Sequence, residues 1–416
     1  MSLLAKLRKP ARTGAGHDVT RVGEVLVVHA GDGGTAEARS LAASLPADPE
    51  HQVVVADLPP ESPVELWESF AAALPDGQGP VRLVPGRRPL CFGSHVGPWL
   101  AERIARPVLA PYGLAIENGA GLFVHSGPRT GWGWFRPGRT PEWAAKRFPC
   151  PAWEAPEFAE TRAVRGGAVA EPLPAGVWLR PGGADAVFER GRVRLIRTVP
   201  CLPDAPTIVL GSPDVPGLDL AEVKEFWRTL PGEVRARARF VAFGGLALPG
   251  DVSFGQALAD ALDAPVLCCT GIPVGSPRTP DVFALRQDGS HGWRPFAREV
   301  AYLPGDAQPR VCAHRAPIAG LPEVATGVYR YAPDAVVEVV EAGLWIRPPG
   351  GGADVVTTRT APLDPARNLV RYEASDPVRA GRMRSVAESV IGRLDYPTRL
   401  VTGLVPVAGS AGHEHR

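Results

Sequence analysis

The 416-residue chain is short of lysine, of net charge and of long apolar runs. Lysine occurs only at Lys6, Lys9, Lys146 and Lys224, so arginine carries nearly all the positive charge. With its excess of alanine, glycine and proline, this is the composition of a GC-rich genome. Forty-five basic side chains face 44 acidic ones, leaving +1. That balance supplies no field to hold nucleic acid or an anionic membrane, and both are set aside as partners. No stretch approaches the ~20 apolar residues of a transmembrane segment. The start, MSLLAKLRKPAR, has too short an apolar run for a secretion signal. Leu3, Leu4 and Leu7 beside Lys6, Arg8 and Lys9 leave only a weak N-terminal membrane-surface contact to consider. A cytoplasmic protein is expected.

Motifs are equally sparse. The six cysteines, Cys91, Cys150, Cys201, Cys268, Cys269 and Cys312, form no C-x-x-C pair. They make neither a disulfide framework nor a zinc pattern, and buried free thiols are expected. HExxH, G-x-S-x-G, G-x-G-x-x-G and the P-loop are all missing. No metal site and no cofactor is expected. His413 and His415 lie in a tail where alternating histidines bind metal only adventitiously.

What is present is a rhythm. Apolar runs at Glu24–Gly31, Gln52–Asp57 and VRLVPG alternate with helical stretches from Thr35, through SPVELWESFAAALP, and at VGPWLAERIA. Val64, Trp67, Phe70, Ala71 and Leu74 share one helical face. Strands alternating with helices predict an α/β fold with mainly parallel sheets. The rhythm then repeats. VSFGQALADALDAPVLC matches VGPWLAERIARPVLA at a shift of 158, pairing Gly97 with Gly255, Leu100 with Leu258 and Val108 with Val266. The register is read as continuing to Arg136 with Arg294. A second pair, Gly176–Val187 with Gly343–Val356, repeats at another shift. The expected architecture is tandem, internally duplicated units joined by β-rich hairpin arms. Its segments are a disordered basic leader 1–20, a first repeat with arm 21–165 and a β-rich linker 166–206. A second repeat 207–310, a β-rich segment with a partial third repeat 311–405 and a tail 406–416 complete it.

Two loops carry chemical candidates. Cys91 follows a strand, lies among glycines and precedes a helix, where helix amides provide oxyanion donors and lower a thiol pKa. His29, at the end of the first strand, and His95, in the same loop, are its candidate bases. The turn Gly31, Gly33, Gly34 and Thr35 between strand and helix has a phosphate-cradling layout, although a tight turn with an N-capped helix is the better explanation of it. The stretch LCFGSHVGPWLAERIARPVLAP resembles a region of very large actinobacterial proteins of uncertain role. There a small-residue loop bearing cysteine precedes a QALAD-type helix and a PV strand. That arrangement is loosely similar to caspase-like and papain-like cysteine folds, and implies a Cys91 nucleophile. It spans roughly residues 80–112, with a repeat near 238–270. The sequence departs from a catalytic pattern: Pro249 stands where the shift puts Cys91's counterpart, and no GHG-type histidine follows a middle strand.

The pairing keeps apolar, glycine, proline and tryptophan positions while polar loop residues differ. Retained packing without retained chemistry favours a non-catalytic binding or scaffolding protein, with another protein or a second copy as partner. A cysteine-dependent hydrolase or transferase using Cys91 with His29 or His95 is the alternative. A phosphate-ligand site at Gly31–Gly34 is the second.

Overall fold

The computed structural model describes residues 16–407, apart from positions 32, 78, 120, 126, 128, 214, 250, 251, 307 and 353. His413, His415 and the leader's basic residues lie outside them. Contacts divide the chain into two units, Met1–Glu154 and Ala155–Arg416. Both mix helices with strands in the manner of an α/β protein, but the larger sheets are mixed, with antiparallel pairs beside the parallel ones, and not the mainly parallel sheets expected, because hairpins add strands at their edges.

In the first unit β1 (His17–Val22) and β2 (Val25–Ala30) form a hairpin, and β2 runs parallel to β3 (Gln52–Asp57), β4 (Val81–Pro85) and β5 (Val108–Tyr112). The sheet closes with antiparallel β8 (Gly131–Phe135) and β9 (Glu142–Ala145). Because side chains alternate along a strand, the apolar runs of β2 and β3 serve two faces. Val25, Val27, Val53 and Val55 pack with Leu41 of α1 (Ala36–Ser44). Leu26, Val28, Val54 and Ala56 pack with Trp67 and Phe70 of α2 (Val64–Ala73) and Leu100 of α3 (Val96–Ile104). Val64, expected on the buried face of α2, is 53% exposed because it starts the helix, beyond the sheet-covering turn. β6 (Ala115–Asn118), β7 (Gly121–Val124) and β10 (Arg147–Phe148) form a small separate sheet.

The second unit has two larger sheets. In the first, β11 (Arg162–Ala163), β12 (Val169–Leu173) and β13 (Gly176–Arg180) are antiparallel neighbours. β13 then runs parallel to β14 (Thr207–Leu210), β16 (Arg239–Ala242) and β18 (Val266–Cys269). β21 (Ala297–Tyr302) and β22 (Arg310–His314) follow antiparallel. Helices α4 (Asp185–Thr198), α5 (Leu220–Thr229), α6 (Gly232–Arg235) and α7 (Phe254–Leu262) belong to this part, with the two-stranded pairs β15 (Leu218–Asp219) with β17 (Leu246–Ala247) and β19 (Ile272–Val274) with β20 (Asp281–Phe283). The other sheet is a meander of β23 (Glu323–Ala325), β24 (Val328–Ala332), β25 (Ala335–Val340) and β26 (Gly343–Arg347), continued in parallel by β27 (Asn368–Glu373) and β28 (Thr402–Val407). Its helices are α8 (Val355–Thr360), α9 (Pro377–Arg393) and α10 (Tyr396–Leu400).

The direction pattern of β1–β5, β8 and β9 recurs in β12, β13, β14, β16, β18, β21 and β22. Helix α3 and helix α7 coincide residue for residue at a shift of 158, and both end on a left-handed residue, Ala105 and Asp263. A Cβ on Gly97 would overlap the Phe135 ring, and one on Gly255 the Tyr302 ring, so each helix needs a glycine there for close approach to the sheet. The 158 register stops after β18. Val108 pairs with Phe135 but Val266 pairs with Tyr302, an arm nine residues longer, and Arg294 precedes its strand where Arg136 follows one.

Several segment boundaries move. His17–Thr20, read as leader, belong to β1 because the alternating run pairs through the Gly23 turn. The expected linker 166–206 contains β12, β13 and α4 and opens the second unit's sheet. The boundaries at 310/311 and 405/406 fall inside β22 and β28. Of the cysteines only Cys268 and Cys269 are buried; Cys91 and Cys201 are partly covered, and Cys150 and Cys312 are exposed.

Candidate functional site

The carboxyl ends of β2 and β3 bring His29, Gly31, Gly33, Gly34, Thr35 and Asp57 together, with Arg87 arriving just after β4. His29 and Asp57 are register partners, which is why the sheet edge gathers them. The His29 side chain is enclosed, at 1% exposure. Its Nδ1 lies 2.8 Å from the Gly31 carbonyl and its Nε2 2.8 Å from the Thr20 hydroxyl on β1. A carbonyl only accepts, so Nδ1 donates there, and both ring nitrogens are occupied by the fold.

Asp57 is the centre of the turn. The Thr35 amide donates to its Oδ2 at 2.6 Å, the Thr35 hydroxyl to Oδ1 at 2.9 Å and Arg87 Nε to Oδ1 at 2.7 Å. Burial pushes this carboxyl up, but the hydrogen bonds from Arg87 and Thr35 outweigh it and hold it below its ordinary value. Gly34 adopts φ +73°, and a Cβ there would come within 3.0 Å of Asp57 Oδ2 and 3.1 Å of the His29 side chain, closer than ordinary contact, so the glycine admits both side chains. The amide at the start of α1 that a bound phosphate would use is thus already directed at the protein's own carboxylate.

Cys91 lies in the loop before α3, and His95 is the N-cap residue of that helix with an exposed ring beside Gly93. Among the described residues neither His29 nor His95 is hydrogen-bonded to the Cys91 thiol. The structure therefore gathers His29, Gly33, Gly34 and Thr35 around Asp57, and leaves Cys91 and His95 outside that network. Asp57 and Arg87 were missed in the sequence because nothing local marks a carboxylate 22 residues from the amide it receives.

A second set of charged residues escaped the sequence reading although it lay inside the repeated GVWLRP and GLWIRP strands. Glu171 on β12 receives Arg180 Nε at 3.0 Å, and also Arg192 Nε from α4. Glu338 on β25 receives Arg347 Nε at 2.5 Å and Arg359 Nε, from α8, at 2.7 Å. All three members of one triad lie 167 positions from those of the other. Each glutamate also pairs across its hairpin with a buried tryptophan, Trp178 or Trp345. The equivalent hairpin of the first unit is β1–β2, in which Thr20 pairs with Val27 and His29 with Asp18, as Glu171 pairs with Trp178 and Arg180 with Val169. His29 thus occupies the arginine position and Thr20 the glutamate position. The signal was a register of 167 extended nine residues back and twelve forward from each arginine.

A further hollow of about 330 Å³ near the amino end of the first sheet is lined by Asp48 and His51. His51 Nδ1 and Arg82 Nε both contact Asp48, at 2.9 and 2.7 Å. It orients an imidazole but places no nucleophile against it among the described residues. No group of three or more metal-ligating side chains occurs among the described residues. No described helix is long and apolar enough to cross a membrane. No family model, curated protein or solved structure matches the chain.

Proposed function

We propose that the chain is a non-catalytic binding or scaffolding protein built on a duplicated α/β layout, with another protein or a second copy of itself as partner. The observation that carries this reading is the state of His29. The His29 imidazole at the end of β2 spends both ring nitrogens on Thr20 and Gly31, at the very position where two other hairpins spend an arginine on a buried glutamate. The edge residues bind each other, which suits holding a shape better than turning over a substrate. Duplication is supported by the coincidence of α3 with α7 and by the shared glycine–aromatic packing of Gly97 and Gly255. The free cysteines suit a reducing, cytoplasmic setting.

The test is alkylation of the native chain by iodoacetamide at neutral pH, with each site followed by mass spectrometry. Cys91 is expected to react no faster than exposed Cys150 and Cys312, and His29→Gln or His95→Gln to leave its rate unchanged. Rapid labelling of Cys91 that either substitution suppresses would establish the cysteine enzyme instead.

A further inference from the structure

The two arginine triads differ in how many carboxylates answer them. Around Glu171, Arg180 also reaches Asp185, and Arg192 reaches Asp185 and Glu189. Two guanidiniums thus meet three carboxylates, and their side chains are only 4% and 8% exposed. Around Glu338 the positions of those extra acids, 167 residues on, hold Gly352 and Val356. Among the described residues Arg347 and Arg359 share the single carboxylate of Glu338, supplemented by neutral oxygens of Pro348, Pro349 and Gln308. Arg359 is 31% exposed.

The under-neutralised triad also opens into space. A hollow of about 470 Å³, within the range of small-molecule pockets, is lined by Glu338, Arg347 and Arg359, by Arg310 at the start of β22, and by Glu341 after β25. Arg310 has no ion pair among the described residues. Glu341 takes the Tyr302 hydroxyl at 2.5 Å. Three guanidiniums therefore face two carboxyls across one hollow. Planar guanidinium forks match carboxylate and phosphoryl oxygens in pairs.

We propose that this hollow binds a small ligand carrying an anionic oxygen group, a carboxylate or a phosphoryl, gripped by Arg310, Arg347 and Arg359. The ligand completes the neutralisation that Asp185 and Glu189 perform internally in the other triad. The site is separate from the Cys91 loop and does not depend on whether the chain is an enzyme.

Calorimetric titration of the full chain at constant low ionic strength tests this, with succinate and inorganic phosphate as separate probes. At least one is expected to bind saturably at one site, and which one binds assigns the carboxylate or the phosphoryl class. Arg359→Gln is expected to weaken that binding about tenfold or more, the loss of one charged hydrogen bond. Val356→Glu restores the acid that Glu189 supplies in the other triad and should weaken it similarly. Val356 is 43% exposed, so the fold tolerates the change, and unaltered thermal unfolding confirms it. Binding of neither probe, or affinity unchanged in either variant, overturns the site.

Discussion

Among the described residues, three carboxylates around Glu171 serve two arginines, whereas around Glu338 one carboxylate serves two. The hairpins, the tryptophans and the helix-borne second arginine correspond, yet one network closes on itself and the other borders a hollow. The first keeps Arg192 above its ordinary pKa, chiefly through its hydrogen bond to Glu171. The third version, Thr20 with His29, has no ion pair among the described residues. One backbone arrangement thus supports a saturated ion network, an unsaturated one and a hydrogen bond between a hydroxyl and an imidazole. The difference separates charges that hold the fold from charges left over for a ligand.

The largest expected effect comes from breaking the saturated network. Glu171→Gln leaves two buried guanidiniums without their deep partner and should cost about 3–5 kcal/mol in denaturant unfolding. Asp185 and Glu189 are mostly exposed and answer only from the solvent side. Glu338→Gln should cost less, because Arg359 retains solvent; an equal or larger loss would mean the two networks are equally closed. Leu100→Ala and Leu258→Ala delete fully buried side chains at matched positions of α3 and α7. Each should cost about 2–5 kcal/mol in thermal or chemical unfolding, and a neutral result in one would break the correspondence of the two helices.

Next comes pH. Burial pushes Glu341 up to about 7 from 4.5, although Tyr302 donates to it. Between those values the folded chain keeps a proton that the unfolded chain has released, so stability falls as pH rises from about 4.5 to about 7 and then levels. Glu341→Gln should remove that fall, worth up to about 3 kcal/mol, and unfolding titrations at pH 5 and pH 8 measure it. Thr20→Val strips His29 Nε2 of its partner and should cost about 1–3 kcal/mol, below the Glu171 change. The smallest effect is chemical. Burial pushes Cys269 up to about 12 and raises Cys268 as well, so both should resist alkylation in the native chain while exposed Cys312 reacts.

Part of this was legible in the chain. The apolar runs of β2, β3 and β4 are where they were expected, because strands covered on both faces must be apolar throughout. Of the apolar positions in the two segments matched at a shift of 158, Leu100, Val108, Leu109, Leu258, Leu262 and Val266 are buried. Ile104 and Leu267 are only partly so, one at a helix end and one in a short strand. The longer register from Arg136 to Arg294 was not legible correctly, since tryptophan, arginine and proline recur on hairpin arms of unequal length. Asp57 was named only as a strand end, because its hydrogen bonds join it to residues 22 and 30 positions away.

Local pattern alone determined the α/β class, the order of strands and helices from β2 to β5, and the glycines that let α3 and α7 approach their sheets. These follow from side-chain period and volume, which act between near neighbours. Tertiary structure alone decided that His29 answers Thr20, that Asp57 occupies the start of α1, and that Arg347 and Arg359 have one carboxylate between them among the described residues. Charge balance at a point in space depends on which distant strands and helices arrive there, and an overall charge of +1 conceals a local excess beside Glu338.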